Sequence, residues 1–196
     1  MDDRETRKAL ATKNLEDFRE ILADLGVVFW LEGGTLLGAY RDKDYCEDDE
    51  NDIDLGSWFN YQCFIPEIIK RAEEQGFKLY KHWNGDERAV GKGQEIAIKR
   101  DGMKIDLFFY EKKKENAWTC VYKNMVCTPR VAPSHFFEEL DSIEFKGMTF
   151  NRPRDIDGYL TLSYGDWRTP KHRSVYSCYN PDDLKVLQPD FPFYED

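Results

Sequence analysis

The run Asp52-Ile53-Asp54-Leu55-Gly56 constrains the chain more than any other. Read as a strand, it alternates strictly, so Ile53 and Leu55 point to a core and both carboxylates to the opposite face. The two acids then stand roughly 7 Å apart along the backbone. Like charges held this close repel unless solvent or a cation lies between them. A second strand carries the same mark. In Lys104-Ile105-Asp106-Leu107-Phe108-Phe109-Tyr110, Ile105, Leu107 and Phe109 share the core face, and Asp106 lies on the other. A carboxylate in so apolar a strand needs a partner or a purpose. An ion pair with Lys104 or Arg100 is one account, and a shared site with Asp52 and Asp54 is the other. For the pair itself, an exposed strand with solvated acids is the plain alternative, favoured by the acidic Glu47-Asp48-Asp49-Glu50 before it.

The rest of the chain reads as alternating helices and strands. Leu15, Phe18, Leu22 and Leu25 form a helical stripe, which Gly26 ends. Val27–Leu31 is a buried strand that stops at Gly33-Gly34, and Thr35–Arg41 is a short helix with Thr35 near its N-cap. Pro66 opens a helix carrying Ile65, Ile68, Ile69 and Ala72, closed by Gly76, with a strand over Phe77–Tyr80. A loop crosses Gly85–Gly93. Asp101-Gly102 and Lys146-Gly147 are hairpin turns between alternating strands. Trp118–Val126 reads as one strand, Ser134 caps a short helix, and a last helix covers Ile156–Ser163. The remainder, with Pro170, Pro181, Pro189 and Pro192, reads as an irregular tail. The mixture predicts one α+β (mixed α/β) domain with a mixed sheet flanked by helices.

Charge narrows the partners. The formal net charge is −10, which disfavours nucleic acid and anionic membrane surfaces. No apolar run is long enough to span a bilayer, and the N-terminus, Met1-Asp2-Asp3-Arg4-Glu5, lacks the apolar stretch of a secretory leader. The five cysteines, Cys46, Cys63, Cys120, Cys127 and Cys178, are odd in number and never spaced C-x-x-C. They read as free thiols in a reducing cytosol. The expected location is cytoplasmic or peripheral to the membrane.

Three pieces carry chemistry together. Gly33-Gly34-Thr35, between strand and helix, lets backbone approach a ligand closely and offers helix N-terminal N–H groups to a phosphate. The Asp52/Asp54 pair offers oxygen ligands suited to Mg2+ or Mn2+, and Asp106 either completes that metal shell or accepts the proton of an acceptor hydroxyl. Arg41 is either a helix C-terminal charge or a phosphate contact. His82, His135 and His172 show no metal spacing, and no P-loop or dinucleotide motif occurs.

The stretch Leu31-Glu32-Gly33-Gly34-Thr35-Leu36-Leu37-Gly38-Ala39-Tyr40-Arg41, with Asn51-Asp52-Ile53-Asp54-Leu55-Gly56, resembles the LicD family, which includes the fukutin-related proteins. Tyr159-Leu160 and Tyr164-Gly165-Asp166-Trp167-Arg168-Thr169-Pro170 resemble that family's C-terminal motif. The similarity spans roughly 15–170, with 171–196 as the tail. It implies a nucleotidyltransferase-like fold and transfer of phosphocholine, ribitol phosphate or a similar group. The donor implied is CDP-linked, the acceptor a hydroxyl of a glycan or lipid-linked glycan, and the product CMP. Where the family reads Pro-Trp-Asp-Asp-Asp-Ile-Asp, this chain has Asp48-Asp49-Glu50-Asn51-Asp52-Ile53-Asp54. Glu50 thus offers a further metal ligand on a longer arm, and Asn51 removes a charge. Two other readings stay open: a nucleotidyltransferase that releases pyrophosphate, and a non-catalytic module that binds nucleotide or a partner.

Overall fold

The computed structural model describes residues 3–47, 49–83, 94–123 and 126–171. The expected loop across 85–93 and the tail beyond 171 lie outside them. The first helix, α1 (Asp3–Asp24), buries Ala11, Leu15, Phe18, Ile21 and Leu22. It ends as the sequence predicts. Gly26 takes a φ of +67°, and the Gly26 and Val27 N–H groups bond back to the Ala23 and Leu22 carbonyls. That is a Schellman end, whose left-handed residue glycine adopts at little steric cost.

The chain continues through β1 (Phe29–Leu31), α2 (Gly33–Leu37) and a single wide π-turn over Gly38–Asp42. Next come β2 (Asp52–Trp58), a 3-10 segment, α3 (Ile65–Glu74), β3 (Lys78–Trp83), β4 (Gln94–Arg100) and β5 (Met103–Lys113). They are followed by β6 (Asn116–Lys123), β7 (Val126–Pro133), α4 (His135–Glu138), β8 (Leu140–Phe145), β9 (Met148–Pro153) and α5 (Ile156–Tyr164). The main sheet runs β3-β4-β5-β2-β1-β9-β8. β2 pairs with β5 in parallel, as β1 does with β9, and the other pairings are antiparallel. The sheet is therefore mixed, as expected. Both expected turns hold. Asp101 and Gly102, and Lys146 and Gly147, all take positive φ, the tight geometry that matches strand twist.

Two expectations are corrected. Trp118–Val126 is not one strand. The chain reverses between Lys123 and Val126, and β6 and β7 form a hairpin off the far end of β5. The sequence between them, Asn124-Met125, lacks the Asn-Gly or Asp-Gly pair that marks a tight hairpin turn, so residue pattern alone joined the strands. Cys120 is disulfide-bonded, while Cys46 and Cys63 are free. The expectation of five free thiols fails, and with it the argument from cysteines for a reducing compartment. Pairing depends on which thiols the fold brings within bonding distance, and spacing does not carry that.

One face of the sheet is the core. Ile53 and Leu55 of β2, Ile96 and Ile98 of β4, and Ile105, Leu107 and Phe109 of β5 are buried there. α1 packs on β5 and on α3, whose Ile65, Ile68 and Ala72 are buried too. Arg100 fastens this layer. Its guanidinium donates to Asp17 at 2.5 Å, to the Gln75 carbonyl at 2.9 Å and to Asn14 at 2.9 Å. Among the described residues, no helix is long and apolar enough to cross a membrane.

Candidate functional site

The opposite face of β2 reads Asp52, Asp54, Gly56, Trp58, and that order divides it into an acidic and an aromatic half. At the aromatic end Trp30 lies across Gly56. A Cβ there would fall inside van der Waals contact of the indole, so the strand needs glycine at that point. Trp30 packs against Trp58, Tyr110 and Phe137 at ring separations of 5.6, 5.7 and 4.9 Å. This wall closes one end of the face.

The acidic end follows from register. The parallel pairing sets Asp52 beside Lys104 and Asp54 beside Asp106. Carboxylate oxygens of Asp52, Asp54 and Asp106 all lie within 4.8 Å of one another. At that separation each pair of unit charges repels by about 3 kcal/mol at an effective dielectric of about 20. Lys104 offsets part of this, with its Nζ 2.9 Å from Asp52 Oδ1 and 2.7 Å from Asp106 Oδ2. The two accounts of Asp106 are thus both realised: it is an ion-pair partner and a member of the cluster. Its second oxygen, Oδ1, is buried and has no hydrogen-bond partner. Burial, above all, and repulsion by Asp52 and Asp106 push the Asp54 carboxyl well above the usual range. Burial pushes Asp106 up to about 6, against the pull of Lys104. For Lys104, burial opposes the charge, but Asp106 and Asp52 outweigh it and hold the ammonium firmly protonated. A buried carboxylate oxygen without a partner, facing two further carboxylates, is a donor set that fits a hard divalent cation.

The glycine turn has a use the sequence did not reveal. A Cβ at Gly33, whose φ is +53°, would strike the Asp54 carboxylate, and one at Gly34 would strike that of Asp49. The close approach is to carboxylates of the chain itself. The Gly33 N–H donates to Glu32 at 3.1 Å and the Gly34 N–H to Asp54 Oδ2 at 3.3 Å. Thr35 is not the N-cap. Glu32 is, because α2 begins at Gly33, and the Thr35 hydroxyl instead accepts from the Asp54 N–H at 2.9 Å.

Two further expected residues stand elsewhere. Glu50 is not part of the carboxylate cluster. It is buried against α1, where Arg7 donates to it at 2.7 Å and Arg4 lies at 3.7 Å. Burial alone would raise its pKa, but its own backbone N–H and Arg7 hold it below the usual value. Arg41 is engaged with its neighbour Asp42 at 2.8 Å and with the Trp167 carbonyl at 3.1 Å. It ties the segment after α5 to the π-turn.

The sequence reading missed the buried polar set beside Asp54. The Glu32 carboxylate, fully buried, accepts from Trp30 Nε1 at 2.9 Å, Arg130 at 3.2 Å and the Tyr159 hydroxyl. The available signal was Glu32 itself, an acid directly after the apolar run Val27–Leu31.

The raised carboxyls give a stability signature. Between about pH 4 and 6, folded Asp106 still holds a proton that the unfolded chain has released. Unfolding releases that proton, so stability falls as pH rises through this window, by up to about 3 kcal/mol for a shift of about two pKa units. Asp54 is displaced in the same direction. Asp44 and Glu50, held low, act oppositely but below about pH 4. The metal-free protein is expected to melt lower at pH 6.5 than at pH 4.5, and Asp106→Asn should flatten that slope. A melting temperature that rises across the window in the parent would contradict the buried-cluster electrostatics.

The profile of the LicD/FKTN/FKRP nucleotidyltransferase domain matches residues 26–155. The uncharacterized protein RP689 of Rickettsia prowazekii is 27% identical over 177 residues, covering 87% of this chain and 59% of its own length. Mouse ribitol-5-phosphate transferase FKTN is 36% identical over 98 residues, 50% of this chain and 20% of that protein. Human ribitol 5-phosphate transferase FKRP is 28% identical over 154 residues, 74% and 29% respectively. The chain thus spans less than two thirds of each of these relatives. Among solved structures, antibiotic-resistance factor ANT(2'')-Ia superposes with a TM-score of 0.52 at 11% identity, covering 92% of this chain and 90% of that one. That likeness concerns the fold alone.

Proposed function

The chain belongs to the LicD/FKTN/FKRP nucleotidyltransferase-domain family, and on that premise we propose that it is a metal-dependent phosphotransferase. It moves a phosphorylated group, of the phosphocholine or ribitol phosphate kind, from a CDP-linked donor to a hydroxyl of a glycan or lipid-linked glycan, and it releases CMP. The observation that supports this reading is the convergence of Asp52, Asp54 and Asp106 within 4.8 Å on one sheet face; the family resemblance covers Asp52 and Asp54, and strand register brings Asp106 to them.

In this reading Asp52, Asp54 and Asp106 would hold Mg2+ or Mn2+. Such an ion neutralises the donor diphosphate and the charge that builds on the leaving phosphate. The acceptor oxygen bonds to the distal phosphorus of the donor, the bond from that phosphorus to the CMP oxygen breaks, and CMP departs with that electron pair. The hydroxyl proton passes to water, since Asp106, whose Oδ1 is buried and without a partner, completes the shell of the ion. Gly33 keeps the space above Asp54 clear of side chain and Gly34 that above Asp49, and Thr35 holds the Asp54 backbone in place. Donor phosphate enters over this turn.

Product analysis tests the proposal. CDP-ribitol, CDP-choline, and UDP- and ADP-linked sugars are incubated with the protein and Mg2+ or Mn2+, with a polyol as surrogate acceptor, and the products are read by mass. The expected result is metal-dependent loss of a CDP-linked donor with equimolar CMP. Pyrophosphate released from a nucleoside triphosphate, with CDP donors untouched, would replace this reading by nucleotidyl transfer. No turnover of any donor, together with no metal uptake, would favour a binding module.

A further inference from the structure

We propose that the Lys104 ammonium serves as a built-in second cation of the carboxylate site, so that the cluster takes up one divalent ion instead of two. The inference rests on the metal-dependent reading above and specifies its stoichiometry.

The geometry carries it. Two-metal phosphoryl-transfer sites set their ions about 3.5–4 Å apart, bridged by carboxylates. Here a cation already bridges two of the three carboxylates: Lys104 Nζ lies 2.9 Å from Asp52 Oδ1 and 2.7 Å from Asp106 Oδ2. Lys104 is not a surface arm that happens to reach inward. It sits within β5 between buried Met103 and Ile105, its backbone N–H is held by the Asn51 carbonyl at 3.0 Å, and it is the register partner of Asp52. The strand pairing that creates the cluster therefore also places the ammonium in it.

Charge agrees with geometry. Three carboxylates and one ammonium leave two negative charges in the cluster, which a single divalent ion neutralises. Of the neighbouring acids, Glu32 is met by Arg130 at 3.2 Å and Glu95 by Lys81 at 2.7 Å, while Asp49 adds a weaker repulsion on Asp54. What the ammonium leaves is the side formed by Asp54 and by Asp106 Oδ1, the buried oxygen without a partner. That is the place for the one ion. An ammonium differs from a second metal in being permanent. It does not dissociate at low metal concentration and it presents no water to be activated.

Mn2+ uptake measured by electron paramagnetic resonance tests this without any turnover assay. The parent protein is expected to bind one Mn2+ per chain, with the spectrum of an isolated ion even in excess metal. Lys104→Met should bind two, and Lys104→Arg, which keeps the charge, should stay at one. Two ions in the parent, or a spin-coupled pair, would overturn the role of Lys104 while leaving metal dependence intact. One ion in a folded Lys104→Met would also overturn it. No Mn2+ bound by the parent would instead overturn the metal-dependent reading and this inference with it. If Lys104→Met does not fold, Lys104→Gln, which removes the charge and keeps a polar end, is read in the same way: two ions support the role of Lys104 and one overturns it.

Discussion

Asp54→Ala is expected to abolish turnover while leaving the metal-free fold at least as stable as the parent. Asp54 is the carboxylate that the chain works hardest to crowd. It sits between Asp52 on its own strand and Asp106 on the next, under a glycine turn with no Cβ to spare, and its carboxyl is pushed well above the ordinary range. A group held like this costs stability until a cation arrives. Removing it relieves two repulsions and gives up one long hydrogen bond, from the Gly34 N–H at 3.3 Å. The rate of CDP-donor consumption should fall below about a hundredth of the parent's, a loss of about 3 kcal/mol or more of transition-state stabilisation. Melting temperature without metal should hold or rise. Melting curves and donor turnover on the same preparation check both halves. A variant that keeps more than about a tenth of the parent rate would remove Asp54 from the site.

Arg130→Met should have the opposite profile, a large loss of stability. Arg130 supplies the positive charge beside Glu32, which is fully buried and also accepts from Trp30, Gly33 and Tyr159. Removing one member of a buried pair strands the other, which typically costs about 3–5 kcal/mol. The same carboxylate caps α2, and the Glu32 backbone N–H donates to the Asp54 carbonyl at 3.1 Å, so the loss should spread to the site. Urea denaturation is the measurement. A double change, Arg130→Met with Glu32→Gln, should recover part of the loss, because the stranded charge is gone. Equal stabilities for parent and Arg130→Met would mean that the pair contributes nothing net.

These expectations depend unequally on what could be read from the chain. Alternation alone placed Ile53 and Leu55 in the core and the two acids opposite, and it did the same for Ile105, Leu107, Phe109 and Asp106. Such patterns are local: a strand's period of two and the φ that a turn demands are properties of a few consecutive residues. That is why the Gly26 cap and the turns at Asp101-Gly102 and Lys146-Gly147 were legible. The Glu50 ligand and the Thr35 cap were misread for the complementary reason. Glu50 meets Arg7, 43 residues away, and Thr35 meets Asp54, 19 residues away, and neither encounter leaves a trace in local pattern.

By itself, then, the sequence determined most of the elements, the inward and outward faces of β2 and β5, the Asp52/Asp54 pair that the family resemblance marks, and Asp106 as a candidate beside it. Tertiary structure alone decided that Asp54 and Asp106 are register neighbours, because 52 residues and two intervening strands separate them and only the parallel pairing of β2 with β5 aligns them. It also decided that Lys104 would come to rest among those carboxylates, and that Glu32 would be buried on Arg130. Charge pairing of this kind acts through space at a few ångströms, where the chain's own order has no say.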